Sequence, residues 1–196
     1  MKKIKISKQK LSMGEVRVIA GLWRGRKLPV LNAEGLRPTT DRMKETLFNW
    51  LMSDIPHSRC LDCFAGSGSL GIEALSRQAQ AVTFLEKFTN AANQLKKNLV
   101  SLKTDKGEVI HTDSLQFLAQ KNSEVPFDIV FVDPPFHFGF VPQVLAHLEK
   151  NKWLAENALI YVETEKEHPP LSLPANWRII KEKVTGQVLS QLILVE

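Results

Sequence analysis

The chain has 196 residues, of which 43% are hydrophobic and 24% are charged, a balance typical of a single globular α/β domain. No apolar run approaches the roughly 20 residues that span a bilayer, which argues against a membrane-embedded helix. The basic start MKKIKISKQK is not followed by the apolar stretch of a secretion signal, so we expect a cytoplasmic location.

Positive charge is concentrated at the beginning of the sequence. Residues 1–50 hold 12 Lys and Arg against 4 Asp and Glu, whereas residues 51–196 hold 14 against 17. Such asymmetry is typical of a segment that faces a polyanion. Residues 1–12 are equally compatible with a solvated, flexible basic tail, and we assign them no role.

Two elements are predicted in residues 13–52. Residues 15–31 alternate polar and apolar side chains around two glycines, which predicts a short β-hairpin or meander with one basic face. The segment GLRPTTDRMKETLFNWLM predicts a helix that begins after Pro38, with Thr39 or Thr40 as its cap. The expected apolar stripe of this helix consists of Met43, Leu47, Trp50 and Leu51.

Residues 53–196 form the predicted main domain, in which apolar strands alternate with helical segments. The predicted strands are RCLDCFA, AVTFLEK, EVIHTD, FDIVFVD and ALIYVETE. This alternation predicts a parallel, doubly wound sheet with right-handed crossovers. The last 20 residues hold two strand-like runs separated only by TGQ, which predicts an antiparallel hairpin. A mostly parallel Rossmann-like sheet closed by such a hairpin is typical of class I S-adenosylmethionine-dependent methyltransferases, whereas the nicotinamide fold continues with parallel units.

The two cysteines, Cys60 and Cys63, form a C-x-x-C pair within the first of these strands. Three residues apart on a strand, their side chains leave opposite faces, and no second Cys/His pair completes a zinc site. We therefore predict core packing for both thiols and no metal.

The segment GSGSLG, residues 66–71, follows the first strand of the main domain. Gly66 and Gly68 permit a tight turn and close approach of a ligand, and the next helix start favours an anion. Glu86, at the end of the second strand, is placed to accept the ribose hydroxyls of either NAD or S-adenosylmethionine. The glycine loop therefore leaves both cofactors open, and its third glycine, Gly71, is predicted to serve helix–strand packing.

Two further carboxylates favour the second cofactor. Asp62 lies in the first strand, where it could meet an ammonium group, and Asp113 ends the third strand, where it could meet an adenine amino group. Each is also compatible with a helix cap or a solvated carboxylate. With Glu86, they suit a cofactor that carries an ammonium and a sulfonium better than one that carries a pyrophosphate.

The fourth strand ends in DPPF, at the same sheet edge as the glycine loop. Two prolines cannot extend a ladder, so the chain leaves the sheet there. Asp133 and the Pro134 carbonyl provide two acceptors for the two N–H groups of an exocyclic amine, and Phe136 offers a face for stacking an extruded base. The motif therefore indicates amine methylation.

With these motifs together, the chain resembles the RsmD family of bacterial 16S rRNA guanine-N2 methyltransferases, from about residue 14 to the end. The most specific segments are RVIAGLWRGRKLPV, GLRPTTDRMKETLFNWL, CLDCFAGSGSLGIEALSR and IVFVDPPF. The resemblance implies methyl transfer from S-adenosylmethionine to the 2-amino group of one guanine, in the 30S subunit or an assembly intermediate. We expect a monomer that works without metal.

The resemblance also implies roles for individual residues. Asp133, Pro134 and Phe136 would hold the guanine. The residues assigned to the cofactor are Asp62, Phe64, Ala65, Gly66, Gly68, Glu86, Lys87, Asp113 and Ser114. The residues assigned to RNA are Arg17, Trp23, Arg24, Arg26, Lys27, Arg37, Thr39 and Arg42.

Other functions remain open from the residues alone. The DPPF motif also fits methylation of adenine N6 in nucleic acid or of a protein glutamine amide. A nicotinamide oxidoreductase would share the glycine loop but leaves DPPF and the terminal hairpin unexplained. A non-catalytic RNA-binding assembly factor would use the basic segment alone.

Overall fold

The computed structural model describes residues 13–31 and 41–196. The predictions for the 1–12 tail, for Arg37 and for Thr39 lie outside the described residues, as do those for Pro38 and Thr40 at the start of the helix. Within the two described ranges, no helix combines the length and the apolar character needed to cross a membrane.

The N-terminal segment forms the predicted hairpin and helix. Strand β1 (Met13–Arg17) pairs antiparallel with β2 (Lys27–Leu31), and a single 3-10 turn at Gly21–Trp23 lies between them. Helix α1 (Asp41–Trp50) follows, with the carboxylate of Asp41 at its positively polarised first turn.

The main sheet has seven strands, and helices join its parallel members. Its strands are β3 (Arg59–Asp62), β4 (Ala81–Glu86), β5 (Gly107–His111), β6 (Phe127–Val132), β7 (Leu154–Glu165), β8 (Trp177–Thr185) and β9 (Val188–Val195). The helices are α2 (Ser69–Ser76), α3 (Thr89–Ser101), α4 (Ser114–Leu118) and α5 (Phe140–Lys150).

The strand order is β5-β4-β3-β6-β7-β9-β8, so the order reverses between β3 and β6. Strands β3 to β7 are parallel, and β9 pairs antiparallel with both β7 and β8. The predicted parallel sheet with a terminal hairpin is therefore confirmed. In open α/β sheets a ligand site lies at the carboxyl ends of the strands beside such a reversal.

Two hydrophobic clusters cover the two faces of this sheet. One contains buried residues of the N-terminal segment, α1, α2 and α3, and the other contains those of α4 and α5. Cys60 belongs to the first cluster and Cys63 to the second, and both are free thiols. The prediction that they pack into the core on opposite faces is confirmed.

The N-terminal segment is docked onto α2 through a buried carboxylate. The backbone N–H groups of Ile19 and Ala20 donate to the two oxygens of Glu73 at 2.8 and 3.0 Å, and Arg77 pairs with the same carboxylate at 2.8 Å. Val18 from this segment lies in the same core cluster as α2. The hairpin therefore shares its core with the main sheet.

The buried face of α1 differs from the predicted stripe. Leu47 and Leu51 are buried as expected, but Met43 and Trp50 are only partly buried, and Lys44 and Phe48 take the interior positions. The interior accepts the lysine because its Nζ donates to the Arg17 carbonyl of β1 at 2.6 Å. Burial lowers the pKa of Lys44 below its usual range.

Candidate active site

Four carboxylates meet at the carboxyl edge of adjacent strands. Glu86 ends β4 and Asp62 ends β3. Asp62 is in register with Phe131 of β6, and Val132 is in register with Val162 of β7. The next residues along these two strands are Asp133 and Glu163, so the sheet order brings all four acids to one edge.

The glycine loop between β3 and α2 has the backbone shape that its sequence predicts. Gly66 and Gly68 have φ angles of +51° and +76°, which an L side chain adopts only at a cost. Gly66 donates its N–H to Glu86 Oε2 at 2.7 Å, and Phe88 donates to Oε1 at 2.7 Å. The loop is thereby tied to the end of β4.

The third glycine of the motif has a packing role. A Cβ atom at Gly71 would lie 2.2 Å from Cε1 of Phe84, so α2 approaches β4 too closely for any side chain. Its N–H donates to Asp62 Oδ2 at 3.2 Å. The prediction that Gly71 serves helix–strand packing is confirmed.

Asp62 lies beneath the glycine loop and is 3% exposed. Burial raises the pKa of Asp62 to about 7, and the charges of Asp133 and Glu86 act in the same direction, against the Gly71 hydrogen bond. A buried carboxyl of this kind gains from a cationic partner, which is the ligand group predicted for it.

Asp113 is a helix cap, one of the two structural roles considered for it. Its Oδ1 accepts from the N–H groups of Leu115 and Gln116 at 3.0 and 3.2 Å, and Lys87 pairs with Oδ2 at 3.0 Å. The Lys87 contact, with these caps, lowers the pKa of Asp113. The hydroxyl of Ser114 donates to the Cys63 carbonyl, which ties α4 to the end of β3.

Aromatic rings extend from the glycine loop towards the DPPF segment. Phe64 stacks on Phe140 with ring centres 5.8 Å apart, and Phe140 stacks on Phe138 at 5.6 Å. Phe138 is 66% exposed. Ala65, the next loop residue, donates its N–H to the Leu85 carbonyl at 3.0 Å and packs in the core.

The DPPF segment forms one wall of a cavity. Strand β6 ends at Val132, and Pro134 is buried while Phe136 is half-buried. The adjoining cavity has a volume of about 310 Å³. It is lined by Pro134, Pro135, Phe136, His137, Gly139, Phe140, Val141, Glu163, Glu165, Glu167, His168 and Pro169.

Sequence reasoning missed Glu163, which lines the same cavity. It is 3% exposed, and Tyr161 donates its hydroxyl hydrogen to Oε1 at 2.6 Å. Burial and the charge of Asp133 raise the pKa of Glu163 to about 8. The available signal was an acid inside the apolar strand ALIYVETE, one strand away from DPPF.

Ser69 was also missed. It is the first residue of α2, and its Oγ is buried without a hydrogen-bond partner among the described residues. An orphaned hydroxyl in the first turn of a helix fits a carboxylate or another anion. The serine inside GSGSLG was the signal for it.

The basic residues predicted for RNA have varied surroundings. Arg17, Arg24, Arg26, Lys27 and Arg42 are exposed, which leaves their charged groups accessible. Arg26 donates to the Ser101 carbonyl at 3.2 Å, and Lys27 pairs with Glu15 at 3.1 Å. Trp23 instead packs partly buried against the core, so its ring is a weaker candidate for stacking.

Comparison with known proteins identifies the family. A family model described as "Conserved hypothetical protein 95" matches residues 16–194. The Haemophilus influenzae protein named ribosomal RNA small subunit methyltransferase D is 62% identical over 194 residues, which is 98% of each chain. The chain belongs to the RsmD family. The resemblance that the sequence motifs indicated is therefore confirmed.

Other members of the RsmD family agree in sequence and in fold. The Escherichia coli K12 protein of the same name is 53% identical over 179 residues, 91% of this chain and 89% of that protein. The solved structure of yhhF from Escherichia coli, assigned as a methyltransferase, has a TM-score of 0.86 and 52% identity, covering 93% of this chain and 99% of that one. The fold class predicted from sequence is confirmed.

Proposed function

We propose that this protein transfers a methyl group from S-adenosylmethionine to the exocyclic N2 of one guanine in 16S rRNA. The observation that carries this proposal is the Asp133–Phe136 segment, which follows β6 at the same sheet edge as the glycine loop that follows β3. It occurs in a chain 62% identical to a protein named ribosomal RNA small subunit methyltransferase D. The proposed substrate is the 30S subunit or an assembly intermediate. The protein is proposed to act on it as a monomer in the cytoplasm.

The residues at the sheet edge fit the proposed cofactor. Ser69 Oγ and the α2 amides would hold its carboxylate, Asp62 its ammonium group and Glu86 its ribose hydroxyls. The solved structure SMU.776, complexed with SAH, shares this fold at a TM-score of 0.66 and 15% identity. When bound, S-adenosylmethionine supplies a methyl group activated by its sulfonium.

The protein's own contribution to the reaction is to hold the amine. The lone pair of a guanine amino group is delocalised into the ring, which makes it a poor nucleophile. Asp133 and the Pro134 carbonyl would accept its two N–H groups, favour a pyramidal nitrogen and aim the lone pair at the methyl group. Asp133 would then receive the proton that the methylated amine releases.

The exposed basic residues of the N-terminal segment would contact the RNA backbone. The segment is held on α2, the helix that follows the glycine loop, through Glu73. Phosphate contacts of this kind position a substrate without reading its sequence. Arg37 and Thr39, which lie outside the described residues, are proposed to line the target pocket.

The pKa of Asp62 makes cofactor affinity pH-dependent. Because the carboxyl has a pKa of about 7 in the ligand-free protein, it is protonated below that pH and ionised above it. An ammonium group binds the ionised form, so the affinity for S-adenosylhomocysteine should rise as pH increases from about 6 to 8, by at most about tenfold per unit. Calorimetry across this range should show the rise in wild-type protein and a flatter profile in Asp62→Asn.

The proposed reaction is tested with labelled S-adenosylmethionine and ribosomal subunits from cells that lack this gene. We expect label in small-subunit RNA and none in large-subunit RNA. Label in protein alone, or calorimetry that detects NAD binding but no S-adenosylhomocysteine binding, would contradict the proposal.

A further inference from the structure

Glu163 is an acid in the wall of the cavity beside DPPF. The residue lines the same cavity as Pro134 and Phe136, although it is almost fully buried. A hydrogen-bond chain holds it in place. The Tyr161 hydroxyl donates to Glu163 at 2.6 Å, and the same hydroxyl lies 3.1 Å from the Ser190 hydroxyl of β9. The position of the carboxyl is therefore fixed before any substrate arrives.

Glu163 faces a second acid as well as its Tyr161 donor. Asp133, on the neighbouring strand, places a second negative charge close enough to raise its pKa. A carboxylate only accepts hydrogen bonds, and the Pro134 carbonyl also only accepts. Asp133, Pro134 and Glu163, at the carboxyl ends of neighbouring strands, therefore suit a ligand edge made of N–H donors.

Guanine is the RNA base whose edge matches these acceptors. Its N1–H and the two N2–H groups are three adjacent donors. Adenine has an amino group beside N1, but its N1 is a hydrogen-bond acceptor, which a carboxylate repels. With N2 held by Asp133 and the Pro134 carbonyl, the next donor along the guanine edge is N1–H.

We infer that Glu163 accepts the N1–H of the target guanine and selects guanine over bases that present an acceptor at N1. This inference rests on the proposed function, since it assumes a guanine held at Asp133. The raised pKa of Glu163 agrees with it, because the empty site favours the protonated acid. The N1–H of the guanine favours the ionised form by donating a hydrogen bond to it.

The test is discrimination between guanine and 2,6-diaminopurine at the target position of small-subunit RNA, assembled from ligated synthetic fragments. The analogue keeps the 2-amino group but has an acceptor at N1. Assayed above the Glu163 pKa of about 8, where the acid is ionised, wild-type protein should methylate guanine faster by roughly ten- to hundredfold, because the analogue leaves a buried carboxylate opposite a lone pair. In Glu163→Gln the ratio of the guanine rate to the analogue rate should fall at least about fivefold, since the amide NH₂ donates to the analogue's N1.

The matched control is Glu167→Gln, which removes an equal charge from an exposed residue that lines the same cavity. Its ratio should equal that of wild type, and S-adenosylhomocysteine affinity should confirm that both variants fold. A wild-type enzyme that methylates both bases equally overturns the inference, whatever the variants do. An unchanged ratio in folded Glu163→Gln also overturns it, yet leaves the proposed function standing. Failure of wild-type protein to methylate guanine RNA would instead refute the proposed function.

Discussion

Asp133→Asn is expected to lower the rate of methyl transfer by about 10²–10⁴-fold, the usual contribution of a positioned proton acceptor. Asparagine keeps one carbonyl oxygen but loses the charge that accepts the amine's proton. The measurement is single-turnover methyl transfer to small-subunit RNA. Affinity for S-adenosylhomocysteine should stay within a few-fold of wild type, because the proposed cofactor contacts come from other strands.

A control for this variant lies on the same strand. Asp128 occupies the opposite end of β6, where its Oδ2 accepts the Arg59 N–H at 2.7 Å. Asp128→Asn removes the same charge far from the cavity and should leave the rate nearly unchanged. Asp133→Asn protein that turns over as fast as wild type would show that Asp133 is not the acceptor.

Gly21→Ala should have the largest effect on the docking of the N-terminal segment. Gly21 has a φ of +78°, and a Cβ there would lie 1.9 Å from the Ser76 carbonyl oxygen of α2. The left-handed backbone costs about 1–2 kcal/mol for alanine, and the clash about 1–3 kcal/mol more. Thermal unfolding should show the loss of stability, and RNA affinity should fall because the basic residues lose their support.

Gly25→Ala separates the backbone cost from the clash. Gly25 has a φ of +82°, but a Cβ there meets nothing within 4 Å. The Gly25→Ala variant should therefore lose only the stability that the left-handed backbone costs. Its melting temperature should lie about 2–10 °C above that of Gly21→Ala. Equal melting temperatures would mean that the clash of a Cβ at position 21 with α2 does not lower the stability.

The features that sequence alone predicted are local. The glycine loop, the DPPF wall and the terminal hairpin each depend on residues close in the chain, where a turn or proline limits the backbone. Gly71 was assigned correctly because an α2 that begins in a tight loop must approach β4. The alternation of strands and helices is also predictable from local patterns of this kind.

The features that sequence missed depend on distant partners. Lys44 is not part of the apolar stripe predicted for α1, and its burial depends on the Arg17 carbonyl of another element. Glu163 looks like one of several acids near the end of a strand until the strand order places it beside Asp133. Register across a sheet sets such neighbours, and one sequence does not encode it in any short segment.

The central claim is that the cavity beside Asp133 directs a methyl group to the exocyclic nitrogen of guanine. The most direct test is mass spectrometry of nucleosides from methylated small-subunit RNA, with authentic methylguanosine isomers as standards. We expect N2-methylguanosine at one position. Methylated adenosine with guanosine untouched, or methyl groups found only on a protein glutamine, would contradict it.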